Sequence, residues 1–190
     1  IDEYDKPIID YIEDIPKAEE NREILKNFYS VLKGNDAYIK FLFITGVSKF
    51  SKVSIFSDLN HLDDITLNEN YACLTGYTEN ELTNNFSEYL QLAQNKLGKY
   101  FPDINEAIKN WYNGYSWNGA DFVYNPFSLL GFFSNLQFRD YWFETGTPTF
   151  LMKLIKERNF KLMGLSNKET HIALFNKYEI TNLELTALLF

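Results

Sequence analysis

The chain has 190 residues, 45% of them hydrophobic and 17% aromatic, which suits one folded core or two small lobes and excludes a disordered chain. Its formal net charge of -8 argues against direct nucleic-acid binding, because that binding depends largely on Lys and Arg displacing counterions from phosphates. One cysteine, two histidines, no apolar run of membrane length and no signal peptide together predict a cytoplasmic segment without a zinc cage or membrane contact.

The first third of the chain carries an α/β pattern. Ile1-Asp2 resembles the end of a buried strand, so we expect the chain to be cut from a longer one. Ile24, Phe28 and Leu32 predict the apolar face of a helix that has Glu19 and Glu20 near its start and stops at Gly34. Apolar and β-branched residues then predict a strand, Tyr38–Thr45, that is covered on both faces of a parallel sheet and ends at Gly46.

A short helix, Val53–Leu59, and a short strand, Asp64–Leu67, complete this pattern. The order of strands and helices predicts the carboxyl-terminal half of a parallel α/β core over residues 1–68. No convincing strand follows for about sixty residues. We therefore expect a helical lid over 69–136, a helical extension over 137–190, and a chain that is predominantly helical.

The helical part has clear start signals. Thr78 with Glu81 has the form of a capping box, ahead of a helix that runs to Gly98. Asp103 with Glu106 predicts the cap of another helix, which ends near Gly114. Thr147-Pro148 predicts the start of a further one, because proline in the first turn costs no hydrogen bond.

An acidic pair is the strongest indication of a functional site. Asp2 and Glu3 stand at the predicted strand end, and Pro7 takes the chain out of the strand. Nucleotide hydrolysis uses such a pair, since one carboxylate can hold Mg²⁺ and the other can orient or activate the attacking water. The alternative is a solvated acidic pair of the kind that is common at strand ends.

Thr45 strengthens the catalytic interpretation. It ends the predicted strand Tyr38–Thr45, on the same sheet edge as Asp2 and Glu3, where ligands of parallel sheets bind. A hydroxyl there can sense the terminal phosphate or the attacking water. Lys49 and Lys52 follow closely and are candidate phosphate contacts, although lysines in a solvated loop are ordinary.

The phosphate-gripping loop of P-loop NTPases, G-x-x-x-x-G-K-[ST], does not occur in these 190 residues. We therefore expect weak nucleotide binding, and no ATPase activity, from this segment alone. The loop is expected upstream of Ile1.

Several stretches resemble, in order, the signatures of the bacterial AAA-ATPase-like family. They are IDEYDKPI, FLFITGVSKFSKVSIFSDLNHLDDITL, YACLTGYTENEL, WYNGYSW with VYNPFSLL, and YWFETGTPTFL. The family is similar to the archaeal-type, STAND-like P-loop ATPases, and many members carry a PD-(D/E)XK nuclease-like domain at the carboxyl terminus.

The resemblance implies specific roles. Asp2-Glu3 matches the Walker B pair, with Asp2 on the metal and Glu3 catalytic, and Thr45 matches the sensor-1 position. ATP and Mg²⁺ are the implied cofactors, both expected only with the missing upstream part. The implied partners are the nucleotide and a nuclease-like domain in the intact protein, and oligomerisation stays open.

Arg139 is a candidate phosphate contact from the lid, within a region whose aromatic motifs we interpret mainly as tightly turned corners of a helical core. The leading hypothesis is an ATP-driven switch module. The alternative is a non-catalytic helical scaffold that binds a protein partner. A nuclease site within the segment is disfavoured, because no Asp-x-Lys or Glu-x-Lys occurs in it.

Overall fold

The computed structural model describes residues 1–46, 55, 62–146 and 155–156. Within these residues it contains seven α-helices, two short 3₁₀ turns and one two-stranded sheet. The prediction of a predominantly helical chain is therefore confirmed. A parallel half-core does not appear as regular strands in the described part of residues 1–68. The chain divides into two compact units, of which the first includes Ile1–Leu62 and the second begins at Asp63.

Two helices lie in the first 46 residues, which belong to the first unit. Helix α1, Lys6–Ile9, carries Pro7 in its first turn, where a missing amide proton costs no hydrogen bond. Helix α2, Ile15–Gly34, begins where the Asp14 side chain accepts a hydrogen bond from the Lys17 amide at 3.2 Å. The helix ends at Gly34, as the sequence predicted. It begins earlier than predicted because the Asp14 cap precedes the apolar spacing on which the prediction rested.

The core of the first unit takes only one of two adjacent apolar stripes on α2. Leu25 and Leu32 pack against it, whereas Ile24 and Phe28 are 57% and 60% exposed. The prediction that Ile24 and Phe28 face the core is therefore wrong. The contacting stripe is one residue further along the helix, a rotation of about 100°. The buried cluster comprises Tyr4, Ile8, Ile9, Ile12, Ala18, Tyr29 and Ile55.

An extended segment, residues 39–46, follows a 3₁₀ turn at Asp36–Tyr38. It is not a regular strand, although the sequence predicted one over Tyr38–Thr45. Phe41 and Phe43 are 80% and 41% exposed, and their rings stack on each other at 6.3 Å. The prediction that both faces of this segment are covered is therefore wrong for the described residues. The alternating exposure indicates that one face of the segment has no partner among them.

The predicted strand Asp64–Leu67 is a turn. The Thr66 amide donates to Asp64 Oδ1 at 3.2 Å, and Leu67 lies in the same turn. A short aspartate side chain competes with strand pairing for the backbone amide, which explains the failure of the prediction. The predicted helix Val53–Leu59 lies outside the described residues except for Ile55.

Three helices open the second unit: α3, Glu79–Asn85; α4, Ser87–Leu97; and α5, Ile104–Tyr112. The predicted capping box at Thr78 and Glu81 is confirmed, with hydrogen bonds of 3.2 and 2.9 Å. The Glu81 carboxylate accepts bonds from the Thr78 amide and hydroxyl, and these two bonds hold the pKa of Glu81 below its usual value.

The helix predicted to continue from Thr78 to Gly98 breaks at Phe86. The Phe86 ring packs between Tyr77 and Phe133, at centroid distances of 5.2 and 5.4 Å. Tertiary packing thus fixes the break, which apolar spacing alone does not reveal. The predicted Asp103 cap is confirmed by its 3.1 Å hydrogen bond from the Glu106 amide.

A short antiparallel hairpin follows α5 and was missed from the sequence. It pairs β1, Asn113–Tyr115, with β2, Val123–Tyr124. Helix α6, Pro126–Asn135, then begins at Asn125, whose side chain accepts from the Ser128 amide at 2.9 Å. Helix α7 is Tyr141–Gly146. The helix predicted from Thr147-Pro148 lies outside the described residues apart from 155–156.

An aromatic core holds the second unit together. Phe132 is fully buried and lies 4.5 Å from Phe138 and 5.8 Å from Tyr112, measured between ring centroids. The interpretation of the aromatic motifs as core-building corners agrees with this packing. The buried cluster comprises Leu82, Leu90, Ala93, Ile104, Ile108, Tyr112, Tyr124, Leu129, Phe132, Phe133 and Tyr141.

Across the described part of the chain, no helix combines the length and apolar character needed to cross a membrane. The predicted domain limits at residues 68 and 136 stay predictions.

Candidate functional site

The first residues of the chain lie beside the end of the extended segment 39–46. The Ile1 nitrogen donates to the Phe43 carbonyl at 2.8 Å, and the Thr45 amide donates to the Ile1 carbonyl at 2.9 Å. This is the hydrogen-bond pattern of a parallel pair centred on Ile1 and Ile44. The two segments therefore run side by side in the same direction, and Asp2 and Thr45 lie at the same edge.

The parallel pairing stops at Glu3. Glu3 has a φ of +47°, a left-handed conformation that residues other than glycine rarely adopt. The next regular bond is made one residue later, where the Tyr4 amide donates to the Thr45 carbonyl at 2.9 Å. Glu3 is thus an extra residue in the ladder, and the chain turns there toward α1. Strain of this kind is found most often at functional sites.

Asp2 and Thr45 are in direct contact at this edge. The Thr45 hydroxyl donates to Asp2 Oδ1. The Glu3 amide points at the same place, at 3.1 Å from Asp2 Oδ1 and 3.4 Å from Thr45 Oγ1. Asp2 and Glu3 are exposed and Thr45 is half-buried, so the cluster faces solvent. We call these three residues the acidic edge.

Below the acidic edge lies a tightly packed support. Gly46 sits so close to Tyr4 that an added Cβ would come within 2.4 Å of the Tyr4 ring and 2.9 Å of Asp5 Oδ1. Only glycine fits there without a shift of buried atoms. The close approach to Tyr4 is thus a packing reason for glycine at this position, which the sequence does not show.

Asp5 was not singled out by the sequence analysis. Its side chain is fully buried, a costly position for a carboxylate unless it is hydrogen-bonded. Burial chiefly, and the Asp5 charge in addition, raise the pKa of Tyr29 on α2. Asp5 therefore links the turn after Glu3 to α2. The available signal was its position directly before Lys6-Pro7, which is the start of a helix.

The other sequence candidates do not gather at the acidic edge within the described residues. Lys49 and Lys52 lie outside those residues. Arg139 belongs to the second unit, where its guanidinium pairs with Glu144 at 2.8 Å. A phosphate bound by Arg139 would have to compete with Glu144 for the guanidinium.

The acidic edge has donors that suit Mg²⁺. Carboxylate and hydroxyl oxygens are hard ligands, and protein-bound Mg²⁺ commonly uses one or two carboxylates while water and substrate phosphates complete its octahedron. No group of three or more His, Cys, Asp or Glu side chains able to hold a metal occurs in the described part of the chain. The acidic edge could therefore contribute one or two oxygen ligands to a Mg²⁺ ion.

Comparison with known proteins points in the same direction. A family model described as "AAA-ATPase_like: Predicted AAA-ATPase" matches residues 1–56. A protein of Azotobacter chroococcum mcd 1, described as "Uncharacterized protein in vnfD 5'region", is 44% identical over 191 residues, covering 100% of this chain and 35% of that protein. No solved structure matches. The chain thus spans about a third of this relative, and the family match, which contains the acidic edge, supports its resemblance to predicted AAA-type ATPases.

Proposed function

We propose that these residues belong to a Mg²⁺-dependent ATPase and supply its metal-binding and water-orienting edge. The observation that carries the proposal is the contact of Asp2 with Thr45 at the ends of two parallel segments. The match of residues 1–56 to a predicted AAA-ATPase supports it. The phosphate-gripping loop, absent from these residues, is proposed to come from elsewhere in a longer protein.

Each residue of the acidic edge has a proposed role. Asp2 would hold Mg²⁺, directly or through a water, and the Thr45 hydroxyl and the Glu3 amide fix the orientation of its carboxylate. Mg²⁺ would supply charge stabilisation for the transferred phosphoryl group. The carboxylate of Glu3 would orient the attacking water and accept its proton. Thr45 would sense the terminal phosphate.

The remaining proposals concern groups around the nucleotide. Lys49, Lys52 and Arg139 are proposed phosphate contacts, of which Arg139 must first leave Glu144. The switch would act on an attached nuclease-like domain in the cytoplasm. The segment itself would contact neither nucleic acid nor membrane, and hydrolysis would change the arrangement read by the effector.

The test is ATP turnover by the whole protein. We expect Glu3→Gln to lower the turnover rate by a factor of about 100 or more, while ATP binding persists, because the loss falls on the chemical step. Glu23→Gln removes an exposed carboxylate from the same unit and should leave turnover unchanged. Undiminished turnover in Glu3→Gln would overturn the catalytic role.

An interaction scaffold is the second candidate, and the exposed stripe on α2 favours it. Ile24, Phe28 and Val31 are each more than half exposed, which is unusual for one contiguous helical face. A scaffold with a residual acidic pair would give no binding heat with Mg-ATP in calorimetry on the whole protein. An ATPase would give a saturable heat.

A further inference from the structure

An aromatic cleft lies in the second unit, apart from the acidic edge. It has a volume of about 100 Å³ and lies between the end of α5, the start of α6 and α7. This is below the roughly 300 Å³ at which pockets for drug-sized ligands begin. An occupant would therefore be a small group, such as the end of a side chain or the head of a metabolite.

Four aromatic side chains that are each about half exposed line this cleft. They are Trp111, Tyr115, Trp142 and Phe143, with exposed fractions between 44% and 50%. Trp111 stacks on Phe138 at 5.6 Å between ring centroids and is still 46% exposed, and the exposed negative face of such a ring attracts a cation. Such a cluster is unusual on an ordinary surface, where large apolar residues are scattered singly.

The polar groups of the cleft also favour a cation. None of its lining residues is Lys or Arg, and one of them, Asp140, is an acid. Asp140 is exposed and makes no ion pair with the described residues, since the neighbouring Arg139 is paired with Glu144. The chain as a whole carries a net charge of -8. An anionic ligand would meet repulsion here, and a cation would be attracted.

Ser128 adds a polar group to the lining of the cleft. It lies at the start of α6, its residue is only 6% exposed, and its amide is used by the Asn125 cap. The Ser128 hydroxyl is not among the fully buried polar atoms that lack a partner in the described residues, so it is open to water or to a polar group of an occupant.

We propose that this cleft binds an organic cation, an ammonium or guanidinium group, held by the aromatic faces and by Asp140. Recognition by aromatic rings plus a carboxylate is the chemistry known for quaternary ammonium and basic side chains. The cation can be a free metabolite or the basic side chain of a polypeptide. Both sources present the same charged group to the cleft.

Tryptophan fluorescence gives a direct test on the full chain. The chain has three tryptophans, and Trp117 does not line the cleft. In a Trp117→Phe background the signal therefore comes from Trp111 and Trp142 alone. We expect a saturable change with choline, and none with its neutral isostere 3,3-dimethylbutanol at the same concentration. A capped arginine peptide is titrated in parallel. Tighter binding of choline assigns the cleft to a free metabolite, and tighter binding of the peptide assigns it to the basic side chain of a polypeptide.

The matched variants are Asp140→Asn and Glu88→Gln, both of which remove one exposed negative charge from the second unit. We expect Asp140→Asn to weaken cation binding about tenfold, and Glu88→Gln to leave it unchanged. Far-UV circular dichroism checks that both variants are folded. Equal binding of the neutral isostere, no response to either cation, or an equal effect of the two variants would overturn the proposal.

Discussion

The two compact units bury their apolar residues to different degrees. In the second unit, aromatic and aliphatic side chains from five helices and the hairpin share one cluster, and Phe132 at its centre is fully buried. In the first unit, Ile24, Phe28 and Phe41 are each more than half exposed. Each unit therefore has its own buried cluster, and the larger described cluster belongs to the second unit, although Tyr100 and Phe122 there are also more than half exposed.

The acidic edge belongs to the unit with the smaller described cluster. Its position depends on pairing between residues more than 40 apart along the chain, not on a local helix signal. Pairing of that kind is set by tertiary structure and costs loop-closure entropy. Stability and site geometry are therefore supplied by different parts of the molecule, and the predictions below test that separation.

The largest effect is expected from two matched phenylalanine truncations. Phe132→Ala removes a fully buried ring and should lower the free energy of unfolding by about 3–5 kcal/mol. Phe28→Ala removes a ring that is 60% exposed and should change it by less than about 0.5 kcal/mol. Urea denaturation of the full chain measures both. Similar losses for the two variants would show that the units do not differ in burial.

Two residues other than glycine that are left-handed in the described part of the chain give the next comparison. Leu136 has a φ of +51° and packs against the second core, so Leu136→Gly relieves strain but loses contacts, for a net loss of about 1 kcal/mol. Glu3 is exposed, so Glu3→Gly relieves about 1–2 kcal/mol of left-handed strain against a smaller entropic cost of glycine, and should stabilise the chain by about 0.5–1 kcal/mol. Thermal unfolding measures both changes in stability. If Glu3→Gly destabilises the chain as Leu136→Gly does, the interpretation of the acidic edge as a strained site is refuted.

Local caps should matter equally in the two units. Asp14 caps α2 and Asp103 caps α5, each through a carboxylate that accepts an amide hydrogen bond. Replacing either one with Ala should lower the free energy of unfolding by about 1 kcal/mol. Chemical denaturation checks this. A loss confined to Asp103→Ala would mean that the first unit does not contribute to the cooperative transition.

The smallest effect concerns alkaline pH. Burial chiefly raises the pKa of Tyr112 to about 12, above its ordinary value of 10. The folded chain therefore holds this proton more tightly than the unfolded one, so its contribution is full below pH 10 and is lost as the pH rises toward 12. The loss of stability between pH 9 and pH 11 should be smaller in Tyr112→Phe than in the wild type. An unchanged pH dependence in that variant would assign the effect to other groups.

Local signals made the second unit partly predictable. The caps at Thr78 and Asp103 follow from side-chain chemistry within four residues, and both are confirmed. The break at Phe86 and the hairpin at Asn113–Tyr115 depend on packing with distant residues, so the spacing of apolar residues did not reveal them.

The first unit shows more clearly what the spacing of apolar residues fails to predict. The apolar run over Tyr38–Thr45 predicted a regular strand, but a regular strand needs a continuous ladder of hydrogen bonds, and the described residues provide one parallel pair at Ile1. The meeting of Asp2 with Thr45 followed from the rule that parallel strands end at one edge. The burial of Asp5 and the strain at Glu3 could not be predicted, because both arise from the turn that packs beneath that edge.

The most direct measurement of the central claim is the Mg²⁺ dependence of ATP binding by the whole protein. Calorimetry with Mg-ATP and with ATP in EDTA should show tighter binding with the metal in the wild type. Asp2→Asn should abolish that difference, whereas Asp36→Asn, which removes an exposed carboxylate elsewhere in the first unit, should keep it. A metal dependence that survives in Asp2→Asn would contradict the assignment of the acidic edge to magnesium and nucleotide.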